Sequence, residues 1–224
     1  MNSSIENIVQ SNVDVSKNLV IALSGGVDSS VLAHILCKIS KHIRLVFVQH
    51  NQVHSKDLEA SAKKVAKSLN LDLEVIQTSL KSNSSETEMR DERYKHLLSN
   101  LKKGEVLLTG HNLSDKAETL LINLFRGTRL EGLKSINSEN SLSSKPMINI
   151  SKKEIYEYAN KNDIFYSEDP TNKDNNIVRN WIRNFLIPEI NNKFPGSFES
   201  KADQLSNEVA FRSNYDDDNL KYIK

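Results

Sequence analysis

The chain has 224 residues with 30 Lys+Arg against 29 Asp+Glu, a net charge of +1 that excludes a generic polyanion binder and leaves local basic patches open. Its length suits one to two ordinary domains with a real buried core. A single cysteine, Cys37, excludes an internal disulfide, a cysteine-based metal cluster and chemistry that needs two thiols. The first ten residues, MNSSIENIVQ, have no basic n-region and no apolar h-region, so no secretory signal is expected. The early apolar run Leu19 to Leu23 is far too short for a membrane span.

That same run predicts a buried strand. It leads into Ser24-Gly25-Gly26-Val27-Asp28-Ser29-Ser30, then into a helix with Val31, Leu32, Ile35, Leu36 and Ile39 on one face. Ile43 to Val48 is a second β-rich run. Ser55 to Leu69 is helical, with Leu58, Ala62, Val65 and Leu69 at helical spacing. Leu71 to Ile76 alternates as a third strand. Ser85 to Glu88 is a capping box opening a helix whose apolar face holds Tyr94, Leu97, Leu98 and Leu101, ended by Gly104. Val106 to Thr109 is a fourth strand, followed by a helix from about Asp115 to Phe125. Lys134 to Lys145 reads as an exposed loop, and Met147 to Ile150 as a fifth strand. Ser151 to Glu154 is a second capping box, with a helix to about Asn160. Ile177, Trp181, Phe185 and Leu186 predict a last strong amphipathic helix ending near Pro188. Beyond Pro195 a weak helix and a frayed polar tail are expected.

Strands alternating with helices predict an α/β fold: a parallel five-stranded sheet flanked by helices, with a short helical C-terminal extension. Ligands of such sheets bind at the carboxyl ends of the strands, where the loops after Leu23, Val48 and Thr109 fall.

Ser24-Gly25-Gly26-Val27-Asp28-Ser29 sits between a strand and a helix. Two glycines permit a tight turn, and the helix start offers N–H donors and a positive dipole end, which together make an anion cradle. It lacks the Gly-Lys-Ser/Thr of a Walker loop and the GxGxxG of dinucleotide folds. A plain Gly-rich strand–helix turn is the bland alternative. The full S-G-G-x-D-S resembles the PP-loop of the ATP pyrophosphatase superfamily, whose members cleave ATP between the α and β phosphates to adenylate a carbonyl oxygen. The resemblance implies that Ser24, Gly25, Gly26, Val27, Asp28 and Ser29 hold the pyrophosphate of ATP with Mg2+. The thiolating branches need more than one cysteine, and Cys37, on an apolar helix face, reads as packing.

Further segments narrow the resemblance. Glu86 to Tyr94 fits E-x-x-x-R-x-x-R-Y, with Arg90 and Arg93. Thr109 to Thr119 carries His111, Asp115 and Glu118. Lys145-Pro146-Met147, the helix from Lys153, Glu168-Asp169-Pro170-Thr171-Asn172 to Asp174, and Arg179-Asn180-Trp181-Ile182-Arg183 come next in order. From about Leu19 to Pro195 this order is similar to the tRNA(Ile)-lysidine synthetase family. In that family ATP adenylates O2 of the wobble cytidine of a CAU-anticodon isoleucine tRNA, and free L-lysine then attacks C2 and expels AMP. The resemblance implies a ligase of the bacterial cytoplasm or an organelle, with no membrane partner and with a homodimer left open. It divides the chain into a catalytic PP-loop domain over 1–160 and a helical extension over 161–224, without the usual C-terminal tRNA-binding domains. A ligase for another base or small molecule, and a nucleotide- or tRNA-binding protein needing a partner chain, are the alternatives.

Asp28 and Asp115 are the implied Mg2+ ligands. Asp115 and Glu118, three apart at a helix start, are read either as caps or as a paired acid site for the lysine ammonium. Arg93 and Arg90 share a face, either as surface ion pairs or with Arg93 on phosphate. Arg179 and Arg183, four apart and expected opposite the apolar stripe, suit a phosphate clamp. Glu168, Asp169 and Asn172 are expected to brace that helix. His50 and His111 are implied nucleotide or substrate contacts, and a zinc site of His50, His54 and His111 lacks any supporting motif. The chain differs from the family at Gln49, where Asp or His is usual, and over His111 to Lys116, where the family reads H-H-x-D-D-Q. Lys116 is expected to neutralise the pocket for the lysine ammonium.

Overall fold

The computed structural model describes residues 4–50, 55–78, 86–133 and 142–220. Five strands, β1 Asn18–Ala22, β2 Ile43–Gln49, β3 Leu73–Gln77, β4 Glu105–Leu108 and β5 Ser143–Ser144, form one sheet in the order β3-β2-β1-β4-β5. Every neighbouring pair is parallel. The helices are α1 Ile5–Ser11, α2 Val27–Ile39, α3 Ser55–Ser68, α4 Glu86–Ser99, α5 Leu113–Phe125, α6 Leu130–Leu133, α7 Lys152–Lys161, α8 Val178–Trp181, α9 Ile187–Lys193 and α10 Phe198–Leu220. None of them is long and apolar enough to cross a membrane, among the described residues. The chain forms two compact units: Met1–His111 with Glu139–Pro170, and Asn112–Ser138 with Thr171–Lys224. The second unit thus takes α5 and α6 from mid-chain as well as the segment after Pro170, a division that a single boundary near residue 160 does not describe.

The first unit contains the whole sheet. Successive β1 side chains alternate faces, so Leu19 and Ile21 join one core while Val20 joins another. The first core adds Val31, Leu32, Ile35 and Leu36 of α2, Ala62 and Val65 of α3, and Ile155 of α7. The second adds Leu97, with Tyr94, Leu98 and Leu101 packed against it. Apolar cover on both faces is the expected condition of an all-parallel sheet. α1, which the sequence pattern does not announce, buries Val9 in the first core. The Ser151 capping box forms as expected; Ser85, of the other, lies outside the described residues. α4 ends at Ser99, and Gly104 serves the turn into β4 with φ +84.

The fifth strand is Ser143–Ser144, not Met147 to Ile150. Met147 and Ile150 are fully buried, but the segment coils through turns, with Ile148 N–H on Lys145 O at 3.1 Å and Ile150 N–H on Met147 O at 2.9 Å. Their apolar character reports burial, which a tight turn achieves as well as a strand. Ser143 and Ser144 also replace part of the expected loop; residues 134–141 of that loop lie outside the described residues.

The second unit is helical. Its core joins Ala117, Leu120 and Leu121 of α5 to Ile182, Ile187 and Ala202. The last amphipathic helix does not end near Pro188. α8 passes through a π turn, Ile182–Leu186, into α9, and Pro188, which has no N–H to donate, falls just after that turn. Its buried apolar residues are Ile182 and Ile187, whereas Trp181 is 40% and Phe185 56% exposed. The helix expected beyond Pro195 is α10, continuous over 23 residues, and it buries Ala202 and Ser206; residues 221–224 of the expected tail lie outside the described residues.

Candidate functional site

The order β3-β2-β1-β4-β5 reverses direction between β1 and β4, so the crevice for a ligand lies beyond the carboxyl ends of these two strands. The Ser24–Ser29 loop leaves the end of β1. Gly25 has φ +81, and a Cβ there would meet Leu58 O at 2.4 Å, so both backbone and space demand glycine. Its carbonyl accepts from Ser61 Oγ at 2.8 Å and from Ser167 N–H at 2.9 Å. Ser29 Oγ donates to Gly26 O at 3.1 Å and accepts from Ser24 N–H at 3.0 Å. The Ser29 hydroxyl therefore shapes the loop. Gly26 takes the N-cap position of α2 and offers no side-chain cap, so the first turn is left open to an anion. The loop after β4 packs closely here: a Cβ on Gly110 would lie 3.0 Å from Asp28 C and from Ser29 N.

Asp28 points to a residue that its sequence context does not single out. Lys152 Nζ donates to Asp28 Oδ1 at 2.8 Å and to Oδ2 at 2.7 Å. Lys152 opens α7 just after its Ser151 cap and stands 5.3 Å from the Tyr156 ring centroid. Tyr156 OH in turn reaches Glu168 Oε1 at 3.4 Å. The available signal is the capping box, which fixes where α7 begins, but spacing alone does not say which of Lys152 and Lys153 turns inward.

Past β2, His50 Nδ1 lies 3.4 Å from Thr78 Oγ1, while its buried Nε2 has no protein partner. Burial, then the positive charges of Arg93 and His96, push His50 down to about 4, so the ring is neutral at pH 7. His54 lies outside the described residues. After β4, His111 Nδ1 bonds Thr109 Oγ1 at 2.8 Å and its ring stacks on Tyr94 at 6.4 Å. The Arg90 guanidinium covers Tyr94 at 5.9 Å. Cys37 is half-buried, and burial pushes its thiol up to about 11.

In the second unit, Asp115 belongs to a capping box: Asn112 N–H donates to Asp115 Oδ2 at 3.1 Å, and Asn112 Oδ1 accepts from Ser114 N–H at 2.9 Å. Glu118, one turn on, has a fully buried side chain. Arg179 Nε donates to its Oε2 at 2.9 Å, and Arg183 donates from Nε to Oε1 at 2.6 Å and from Nη2 to Oε2 at 2.9 Å. Burial pushes the Glu118 carboxyl up, against the opposing pull of Arg183 and Arg179. Arg183 also reaches Asp115 Oδ1 at 3.5 Å, and Arg179 Nη2 reaches Thr119 Oγ1 at 2.8 Å. The two arginines thus lie on the inward side of their helix with Ile182, not opposite its buried face. The preceding loop is tied to the helix through its carbonyls, that of Asn172 included: Asn180 Nδ2 donates to Thr171 O and Asp174 O at 2.7 and 3.0 Å, and Asn184 Nδ2 to Asn172 O at 2.9 Å. Lys116 does not neutralise an acid site with Asp115 and Glu118. Its side chain is 1% exposed and pairs with Asp203 and, at 3.0 Å, with Asn207 of α10.

A parallel sheet with a glycine loop and an uncapped helix start at its switch point defines an α/β protein built to hold an anionic ligand. The chain belongs to the PP-loop domain family, which matches residues 1–190. It is 34% identical over 194 residues to the tRNA(Ile)-lysidine synthase of Pseudomonas aeruginosa, covering 81% of this chain and 44% of that protein. It is 32% identical over 184 residues to that of Actinobacillus pleuropneumoniae serotype 3, covering 80% and 44%. The chain therefore spans less than half the length of these relatives. In fold it is similar to the U34-tRNA thiolase NcsA of Methanococcus maripaludis, with TM-score 0.70 and 20% identity over 92% of this chain and 78% of that one.

Proposed function

We propose that this chain carries the adenylating and lysine-transferring core of a tRNA(Ile)-lysidine synthetase. The observation that carries the reading is its similarity to lysidine synthases, 32–34% identity over four-fifths of the chain. The SGGVDS loop at the switch point supports the nucleotide half of that activity.

In this reading Gly25, Gly26 and the open first turn of α2 receive the polyphosphate of ATP. The carboxylate oxygens of Asp28, with Asp115 as second candidate, suit the hard-oxygen preference of Mg2+. Bound there, that ion would neutralise charge on the phosphate oxygens. Arg93, and Arg90 beside it, supply cationic donors for phosphate. Ser24, Val27, Ser29, His50 and His111 line the nucleotide or base side; a neutral His50 accepts or donates a hydrogen bond without adding charge. O2 of the wobble cytidine attacks the α-phosphorus and pyrophosphate leaves. The lysine amine then forms the bond to C2, loses a proton, and AMP departs with the O2 oxygen. Where Asp28 alone serves the ion, Asp115 is the candidate to hold the lysine ammonium and accept that proton. Glu118 is buried between Arg179 and Arg183, so it acts as a positioning residue that aims two guanidiniums for a carboxylate or phosphate. Such chemistry belongs where tRNA matures, in a bacterial cytoplasm or an organelle.

The test incubates the protein with ATP, Mg2+, labelled lysine and a CAU-anticodon isoleucine tRNA. Stoichiometric lysine incorporation with AMP release is expected, abolished by Asp28→Asn. Intact ATP binding without lysine incorporation would overturn the synthetase reading, and incorporation of another amine would replace its substrate.

A further inference from the structure

Lys152 stands where a cation is unfavourable. It is the first residue of α7, and the helix dipole presents positive charge there; acidic residues favour such positions, as Glu154 does in the same turn. Its neighbour Lys153 shows the ordinary outcome, with a side chain 85% exposed and a distant partner, Glu157 at 3.8 Å. Lys152 is instead drawn in, 35% exposed, to bond both oxygens of Asp28, which is 28% exposed. Burial first, then the charges of Glu168 and Asp28, raise the phenol of Tyr156, whose ring lies beneath the ammonium. The ammonium thus sits on the Asp28 carboxylate and over the Tyr156 ring, beside the Ser24–Ser29 loop.

We propose that Lys152 is a built-in counter-cation that competes with a divalent metal for Asp28. It rests on the reading of Asp28 as the metal-binding carboxylate of the proposed function. An ammonium and a divalent cation repel each other strongly at contact distance, so one carboxylate does not hold both closely. Without nucleotide, Lys152 satisfies Asp28 and keeps the loop from collecting free metal. When a metal–nucleotide complex enters, the polyphosphate offers the displaced ammonium a new set of anionic oxygens. Metal alone meets a closed carboxylate, whereas metal with nucleotide does not. Lys152 is in this sense a specificity device that favours the complex over the bare ion.

The test measures Mn2+ binding to the nucleotide-free protein by the loss of the free-ion electron paramagnetic resonance signal. Lys152→Met is expected to bind Mn2+ about tenfold more tightly than the wild type, as removal of a contact charge implies. Lys152→Arg keeps the charge and should show no gain, and the gain should vanish in Lys152→Met combined with Asp28→Asn. Binding of a fluorescent ATP analogue with Mg2+ should weaken about tenfold in Lys152→Met, because the displaced ammonium no longer helps. Melting curves of each variant confirm folding, and Lys152→Gln replaces Lys152→Met if the latter melts early. Mn2+ binding no tighter in the neutral variants, or a gain that survives loss of Asp28, would overturn the proposal. The result is independent of lysine incorporation: failure of the tRNA reaction alone would strike the proposed function and leave the competition intact.

Discussion

Removal of the Glu118 carboxylate should weaken the second unit more than any other single charge change there. The side chain is fully buried and takes three hydrogen bonds from Arg179 and Arg183, whose side chains are 15% and 37% exposed. Breaking a buried ion pair by deleting one partner costs about 3–5 kcal/mol, because the other charge stays desolvated. Arg183 is over one-third exposed, so water screens part of its loss, and Glu118→Ala should destabilise by about 3 kcal/mol. Glu118→Gln, which keeps one acceptor, should cost about 2 kcal/mol. Trp181, the single tryptophan, stacks on Phe185 at 6.3 Å within the same helix and reports the transition in urea by fluorescence. The pH dependence adds a sign. Burial raises the folded pKa of Glu118 above its ordinary value of 4.5, so between that value and the folded one the native state binds the proton more tightly. Glu118 therefore makes the protein lose stability as pH rises through that window, and Glu118→Gln should remove this slope. A loss under about 1 kcal/mol in Glu118→Ala would refute the clamp as the element that holds α8 to α5.

Gly25→Ala should cost about 2 kcal/mol or more, from the left-handed φ together with the contact on Leu58 O, and abolish nucleotide binding. Gly127→Ala, at φ +70 in open space, should cost only about 1 kcal/mol, and thermal melts of the pair separate strain from crowding. His50 is pushed down to about 4 from its ordinary 6.5, so its share of stability is present above pH 6.5 and lost as pH falls toward 4. The shift corresponds to about 3 kcal/mol and, discounted for a half-exposed ring, roughly 1–2 kcal/mol; a ring titration by NMR with a midpoint near 6.5 would contradict it. Lys116→Met removes the counter-charge of Asp203, which is partly solvated and keeps its hydrogen bond from Asn207 Nδ2, so the loss should be about 1–2 kcal/mol, with amide exchange in α10 faster by about tenfold. Unchanged protection of α10 would show that Lys116 does not pin that helix.

The strand–helix alternation of residues 18–108 is legible because each element there is set by its own pattern. Val20 and Ile21 of β1 alternate into two cores, and α2 and α3 carry unbroken apolar stripes. Turn chemistry is legible at Ser151, where a side chain answers its own third neighbour. Met147 to Ile150 fails the same reading, since four apolar residues do not distinguish a buried turn from a strand. Lys152 fails for a different reason: its partner Asp28 is 124 residues away, and no local pattern encodes that meeting.

The last helix shows how a regular period misleads. The spacing Ile177, Trp181, Phe185 fits 3.6 residues per turn, yet the π turn at Ile182–Leu186 inserts about one residue and rotates the downstream turns by roughly 100°. A stripe extrapolated across it names Phe185 as buried, when Ile187 is. Hydropathy also sends arginines outward by default, and here both face in. The clue to their true side is on another helix. Glu118 lies among Ala117, Leu120 and Leu121, a buried stripe of α5, and a carboxylate in such a place requires a counter-charge. Arg179 and Arg183, four apart, are one turn's reach of cationic donors, and Arg is the side chain that can bind both carboxylate oxygens at once. The burial of Glu118 thus fixes the inward face of the helix that carries the two arginines, and apolar spacing does not.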